Sequence, residues 1–298
     1  MSNYKLSILI PTYNRLDLFK ETLNSILPQA QGKPVHIAIV DDGSTEGNYE
    51  YALELSKKYP FIEIARHEKN LGVGVARNTL LGLAKGDYLI FFDSDDLLLD
   101  RGLEKMLDLI DSEIAEVYVL NTYREKGKKL KFKIFPEDKT EKKLLKAFLE
   151  GKFSEALYLV KSDIAKKFSF SSNLRVMEDL PYQGKLILHS KIKIINQPFA
   201  IKRDHPQRLR KVSDYYFQNA IDAIEDLFKR LPSEYQCFKP FAYAKTYLDL
   251  GKRAYLNSDL AKAKDFLKKA IECYPKIRKD FKYWKLRFKI LFKNFLKK

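Results

Sequence analysis

The chain has 298 residues, 45% of them hydrophobic and 13% aromatic, which is enough for a sizeable core and argues against global disorder. Its formal net charge is +16, and its only cysteines, Cys237 and Cys273, lack any metal-ligand spacing, which argues against a disulfide framework or a zinc site and fits a reducing cytoplasm. No uncharged apolar stretch is long enough to cross a bilayer, and no signal peptide is expected at an N-terminus that runs straight into a strand pattern.

Leu6–Ile10 predicts a short strand that stops at Pro11-Thr12-Tyr13-Asn14-Arg15, after which Leu16, Phe19, Leu23, Ile26 and Leu27 recur at helical spacing. Val35–Val40 predicts a second strand ending in Asp41-Asp42-Gly43-Ser44-Thr45, with a helix through Lys58. Ile62–Ala65 predicts a third, running into Asn70-Leu71-Gly72 and a helix over Val73–Ala84. The fourth, from Tyr88 to Phe92, ends abruptly in Asp93-Ser94-Asp95-Asp96. Strands alternating with helices through short polar joints mean βαβ units and a parallel sheet with right-handed crossovers. The joints then fall on one rim, outside the carboxyl ends of the strands, where ligands sit in open α/β sheets.

Asp93 and Asp95 are two apart on an extended segment and could converge on one point. Carboxylates brought that close repel unless a cation or a proton lies between them. Mg²⁺ or Mn²⁺, with oxygen ligands, is the natural occupant. The alternative is that one Asp caps the next helix and the others are solvated. Gly72-Val73-Gly74 lacks the third glycine of a dinucleotide fingerprint, and no Gly-Lys-Ser/Thr phosphate loop occurs.

Five pieces in order, Ser7–Asn14, Val40–Thr45, Asn70–Gly72 with Ala76–Asn78, Phe92–Asp96 and Glu178-Asp179, make residues 1–205 resemble the family 2 glycosyltransferases, inverting enzymes of the GT-A fold. The resemblance implies an α/β GT-A domain over 1–211, a mostly parallel sheet flanked by helices. Pro11, Thr12 and Tyr13 would line the pocket for the base, with backbone groups of Thr12 reading its edge. Asp42 would accept a hydrogen bond from that base, most often uracil; Asp41 could exchange roles with it, or both could belong to ordinary turn chemistry. Arg77 would face the nucleotide or else brace the carboxylates.

By the same resemblance Asp93 would contact ribose or metal. Asp95 would ligate the Mn²⁺ or Mg²⁺ that bridges the diphosphate, and Asp96 would share that task. The ion would stabilise charge as it develops on the leaving phosphate oxygen. The scheme requires that no arginine or lysine permanently fill the ion's position. His205 would stand near diphosphate and metal, or be a solvated loop histidine. Asp179 would be the general base that takes the acceptor's proton, with Glu178 as alternate; a plain helix N-cap ahead of Pro181 is the competing reading. His36 reads as structural, and His67 and His189 have no context of this kind.

Further on, Val117–Asn121, Lys129–Phe135 and Ala156–Val160 predict strands, and Glu141–Leu149 a helix. From Val212 the chain turns helical. Tyr247, Leu250, Gly251, Ala263, Leu267, Ala270 and Pro275 match the spacing of a single tetratricopeptide repeat, with Ala254 where tyrosine is usual. Residues 212–275 are thus expected as a small helical bundle packed on the catalytic domain. Residues 276–298 hold ten Lys or Arg against one acid, so the tail carries +9 of the net charge. There Ile277, Phe281, Trp284, Phe288, Leu291 and Phe295 recur at alternating spacings of four and three, a basic amphipathic helix of the kind that lies in a membrane interface. Docking on the bundle is the alternative, and no nucleic-acid recognition motif accompanies the charge.

The expected activity is metal-dependent inverting hexosyl transfer. A nucleotide-diphosphate sugar, with UDP the expected nucleotide, would give its sugar to a hydroxyl of a glycan or lipid-linked glycan at the cytoplasmic face of the membrane. A non-catalytic binding or scaffold module and a metal-dependent sugar nucleotidyltransferase are the alternatives.

Overall fold

The computed structural model describes residues 4–127, 129–137, 140–205, 214–229 and 231–295. One nine-stranded sheet is built from β1 (Leu6–Thr12), β2 (Val35–Asp41), β3 (Ile62–Arg66), β4 (Tyr88–Phe91), β5 (Leu97–Leu98), β6 (Val117–Lys126), β7 (Lys129–Lys131), β8 (Leu157–Lys161) and β9 (Ile192–Lys202). The order is β3-β2-β1-β4-β8-β6-β9-β5, with β7 paired to β6. The βαβ half is parallel, as the alternation predicts. Every residue of β1 and β2 is buried, so both faces need cover. On one face α3 (Val73–Leu83) brings Ala76 and Leu80 against Leu9, Ala38, Val40 and Leu89. On the other, α1 (Leu16–Ala30) brings Phe19, Leu23 and Ile26 against Ile8, Ile10, Ile37 and Ile90. The helix α2 (Asn48–Lys58) and α4 (Gly102–Asp111) complete that second layer.

The second half is mixed. β8 runs antiparallel to β4 and to β6, whereas β9 is parallel to β6 and antiparallel to β5. The predicted strand over 129–135 shortens to β7, because the chain beyond it is held by amides instead of a ladder. Asn121 Nδ2 donates to Lys133 O at 2.7 Å, and Phe135 N donates to Asn196 Oδ1 at 2.7 Å. The strand β9 does the most for the site. Its pairing of Ile201 with Leu97 lays Lys202 and Arg203 beside the acidic joint that follows β4.

The helices α5 (Glu141–Leu149), α6 (Ser162–Ala165) and α7 (Asp179–Leu188) lead on to α8 (Asp214–Lys229), α9 (Lys239–Leu256), α10 (Leu260–Cys273) and α11 (Phe281–Phe295). The expected boundary at 211–212 lies outside the described residues. Beyond it α8 is no independent unit, since Ile224, Leu227 and Phe228 join Leu186 and Ile187 of α7 in the core under the sheet. Ala220 on the same helix faces a second core shared with Ala244, Leu248, Ala254, Ala263, Leu267 and Ala270. The repeat-like spacing thus falls on the packed pair α9 and α10, and Ala254 is one of its buried small residues. The third member, α11, is docked by Tyr283, Leu286 and Ile290.

Candidate active site

The joints after β1 and β2 are locked together before any ligand arrives. Asn14 and Arg15 both have left-handed backbones (φ 54° and 61°), which non-glycine residues rarely adopt and which cluster at functional sites. Asn14 N donates to Ser44 Oγ at 2.7 Å, and Thr45 N donates to Asn14 Oδ1 at 2.9 Å. Gly43 is required twice over: its φ is +77°, and a Cβ there would lie 2.6 Å from the backbone carbon of Lys69.

Asp42, expected at the base, is buried and spends both carboxylate oxygens on the next joint. Oδ1 meets His67 Nδ1 at 2.7 Å and accepts from Leu71 N at 3.0 Å, and Oδ2 accepts from Gly72 N at 2.8 Å. Asp41, the residue that could exchange roles with it, accepts from Ser44 N through Oδ2 and leaves Oδ1 buried with no partner in the protein. Of the other expected pocket residues, Pro11 and Thr12 are buried at the end of β1 and Tyr13 is exposed on the rim. Thr12 Oγ1 accepts from Asn48 Nδ2 at 2.8 Å.

Asp93, Asp95 and Asp96 converge as predicted, each offering a carboxylate oxygen within 4.8 Å of the others. Their repulsion is answered by cations of the chain itself. Lys202 Nζ stands between two of them, 3.1 Å from Asp93 Oδ2 and 2.5 Å from Asp96 Oδ2. It supplies the positive charge that the sequence pattern assigned there to a metal ion, and this is the basic side chain whose presence the scheme ruled out. Arg77 Nη2 donates to Asp93 Oδ1 at 3.0 Å. Arg203 N donates to Asp96 Oδ1 at 3.2 Å, while the Arg203 guanidinium bonds Asp95 O, Leu18 O and Glu21, fastening the joint to α1. Burial alone would raise Asp93, but Lys202 and Arg77 overcome it and hold its carboxyl well below the usual range. Asp96 is pushed up to about 7 by its burial, with Lys202 opposing and Asp93 and Asp95 adding.

Asp95 is differently placed. Its Oδ2 lies 2.8 Å from His205 Nε2 and 2.8 Å from Arg15 Nη1. Adjacent ligand atoms of one octahedral ion with bonds of about 2.1 Å are spaced about 3 Å apart, so the Asp95–His205 pair has the right spacing. The other ring nitrogen, His205 Nδ1, is buried with no partner in the protein. An oxygen and an imidazole nitrogen suit Mn²⁺. Asp95 and His205 therefore offer donors of the right chemistry for a divalent ion, but Arg15 already pairs with the same Asp95 oxygen and Lys202 already bridges Asp93 and Asp96.

The residues expected to act on the acceptor lie on the far side of Arg77. Met177 is left-handed (φ 60°), and the turn it makes starts α7 at Asp179. Glu178 is the N-cap residue of that helix but makes no side-chain cap, and Asp179 is its first residue. Glu178 Oε1 instead accepts from Arg77 Nη1 at 2.6 Å in a buried pair. Arg77 thus braces carboxylates from both sides of the site, and its plane lies near the rings of Phe91 and Phe170. Glu178 is pushed up to about 7, since burial outweighs the pairing with Arg77 and Asp179 adds to it. Asp179 lines a cavity of about 150 Å³ together with Arg77, Asp93, Tyr158, Tyr182 and Lys202. A more open cleft of about 650 Å³ lies along α8, among Ser171, Asp222, Glu225 and Lys239, and holds none of these residues.

Lys202, Arg15, Arg203 and His67 were not singled out from the sequence. The usable signal was electrostatic: three clustered acids need several positive partners, and Lys202-Arg203 ends a strand just before His205. His67 shows none, since its partner Asp42 is 25 residues away. His36 is structural as expected, buried between Ser7 and Glu63.

A family model described as Glycosyl transferase family 2 matches residues 7–157. The chain is 29% identical over 214 residues to the uncharacterized glycosyltransferase MJ1057 of Methanocaldococcus jannaschii, covering 68% of this chain and 71% of that protein. Two other curated relatives are spanned over only 37% and 30% of their length. Among solved structures, TarS of S. aureus in complex with UDP-GlcNAc superposes with a TM-score of 0.63 at 20% identity, over 91% of this chain and 92% of that one. The mannosyltransferase PcManGT from Pyrobaculum calidifontis, in complex with GDP-Man and Mn²⁺, gives 0.58 at 15% identity, over 99% and 88%. At such identities these likenesses speak to the fold.

Proposed function

The chain belongs to glycosyl transferase family 2, and from that premise we propose that it transfers a hexosyl group, with inversion, from a nucleotide-diphosphate sugar to a hydroxyl of a glycan or lipid-linked glycan. The observation that carries this reading is the shared cavity, in which Asp179 faces Arg77, Asp93 and Lys202. An inverting displacement needs one base on the side opposite the leaving group, and Asp179 is the carboxylate of its pair that is not committed to Arg77. The acceptor hydroxyl gives its proton to Asp179 as its oxygen bonds to the anomeric carbon and the bond from that carbon to the diphosphate oxygen breaks. Glu178 holds Arg77 in position, and Arg77 and Lys202 keep the donor side electropositive.

The proposed donor is a UDP-sugar, with its base against Pro11, Thr12 and Tyr13. The proposed acceptor for the base N–H is Asp41, whose Oδ1 has no protein partner but is covered in this structure, so the base must displace what lies over it, while Asp42 secures the joint beneath. Asp95 and His205 would hold Mn²⁺ or Mg²⁺, which would supply positive charge against the departing diphosphate. The reaction is assigned to the cytoplasmic face of the membrane, in keeping with the basic residues of the C-terminal tail.

Incubation with a panel of UDP- and GDP-sugars, Mn²⁺ and glycan acceptors tests the reading. Release of nucleoside diphosphate that Asp95→Ala abolishes is the expected result. Release of pyrophosphate would identify a sugar nucleotidyltransferase instead, and donor binding without transfer to any acceptor would identify a binding module.

A further inference from the structure

α11 carries two apolar stripes, and the one that its sequence spacing marks is not the one that docks. Tyr283, Leu286 and Ile290 are buried in the core they share with Leu250, Ala254 and Leu267. Gly251 makes room for them, since a Cβ there would come within 3.1 Å of Leu286. Phe281, Trp284, Phe288 and Leu291 belong to the stripe read from the sequence, and with Phe292 they are 76%, 39%, 64%, 54% and 70% exposed. Ile277 of that stripe is buried, and the side chain of Phe295 lies outside the described residues. At about 100° per residue the centres of the two stripes lie roughly 160° apart, so the helix is clamped by one side and presents the other outward. Membrane contact and docking, alternatives in the sequence, are compatible in the structure.

Five large apolar side chains adjacent on one ridge are far from the scattered exposure usual for a soluble surface. What covers them is indicated by charge. Residues 281–295 contain no acid, and Lys282, Lys285 and Lys289 line one flank of the ridge with Arg287 on the other. The acid nearest in sequence, Asp280, is paired with Lys245 at 2.6 Å. A second copy of the chain would bring lysines against lysines, whereas a bilayer with anionic headgroups offers phosphates at the flanks and acyl chains below the ridge. No helix among the described residues is long and apolar enough to cross a membrane, so the helix would lie in the interface.

We propose that α11 is a membrane-docking element, fixed to the bundle through Tyr283, Leu286 and Ile290, whose ridge from Phe281 to Phe292 enters the headgroup region of an anionic bilayer. This deepens the membrane-face part of the function proposed above and rests on it for the location of the acceptor.

Trp284 is the only tryptophan of the chain, which makes its emission a reporter of the ridge alone. Its indole Nε1 donates to Arg278 O at 2.7 Å and the Arg287 guanidinium lies 5.2 Å from its ring, so the ring is held in the ridge. With vesicles of equimolar phosphatidylcholine and phosphatidylglycerol, the full chain should show a blue shift of this emission and quenching by brominated acyl chains. Phosphatidylcholine vesicles alone should produce neither. The double variant Phe288→Ser, Phe292→Ser should lose vesicle binding at least tenfold while keeping the wild-type melting temperature, because both side chains are exposed. Unchanged emission on anionic vesicles, or equal binding by the double variant, overturns the proposal. So does a blue shift that grows with protein concentration in the absence of lipid, which would mean self-association. None of these readouts requires transfer, so their failure leaves the catalytic reading standing.

Discussion

Lys202 Nζ lies 2.5 Å from Asp96 Oδ2, and the two side chains are almost completely buried at the carboxyl rim of the sheet. The same ammonium is 3.1 Å from Asp93 Oδ2, so one lysine stands between two acids. Removing one partner of a buried ion pair leaves the other uncompensated, at a cost of about 3–5 kcal/mol. Lys202→Gln should therefore lower the unfolding free energy by about that amount in urea titrations, and adding Asp96→Asn should restore part of it. The freed carboxylates should also make Mn²⁺ raise the melting temperature of Lys202→Gln more than that of the wild type. An equal response to Mn²⁺ in both would show that Lys202 does not stand in for an ion.

Asp179 and Glu178 are adjacent in sequence, yet only Glu178 is tied to Arg77. Asp179→Asn should keep donor affinity and lose about 10²–10⁴-fold in turnover, the usual worth of a general base. Glu178→Gln should act through Arg77 and Asp93 and so weaken donor binding as well. Calorimetric donor Kd values beside turnover numbers separate the two. A weakened Kd with intact turnover in Asp179→Asn would reverse the assignment.

Much of this was legible because it is local. The apolar runs of β1, β2 and β4 are buried on both faces, and such strands announce themselves by composition. The joints that end them fall on one rim by topology alone, which is why the Asp93–Asp96 cluster could be anticipated. Lys202 could not. Its strand, β9, mixes polar with apolar residues and is irregular against β6 near Asn121, so periodicity does not mark it. The orientation of α11 was hidden for another reason. Tyr283, Leu286 and Ile290 recur at threes and fours just as the exposed stripe does, and the choice between them is made by the partner surface around Gly251.

Asp41 and Asp42 should also separate on mutation. Asp42 is a structural clamp here, bonded to His67 and to two backbone N–H groups, so Asp42→Ala leaves buried donors unpaired and should destabilise by about 1–3 kcal/mol. Asp41→Asn keeps the size of the side chain but replaces one carboxylate oxygen with a donor, which a base N–H cannot use. It should weaken the Kd for UDP about tenfold or more. Should Asp42→Asn weaken UDP binding at unchanged stability while Asp41→Asn does not, the base contact belongs to Asp42.

The pH dependence of stability tests the buried contact between Glu178 and Arg77. Glu178, pushed up to about 7 chiefly by burial, keeps its proton in the folded chain at pH values where the unfolded chain has lost it. Between about pH 4.5 and 7 the folded state thus binds more protons, and stability falls as pH rises through that window and levels off above it. Asp96, also pushed up to about 7, contributes with the same sign. Asp93 has the opposite sign, but it is held so low that its contribution is lost only under strongly acid conditions. Glu178→Gln is neutral at every pH, so its unfolding free energy should decline less steeply than the wild type's across the window. The difference between the two should change from pH 4.5 to 7 and stay constant above. A difference that is flat throughout would mean that Glu178 ionises as it does in the unfolded chain, its bond to Arg77 balancing its burial.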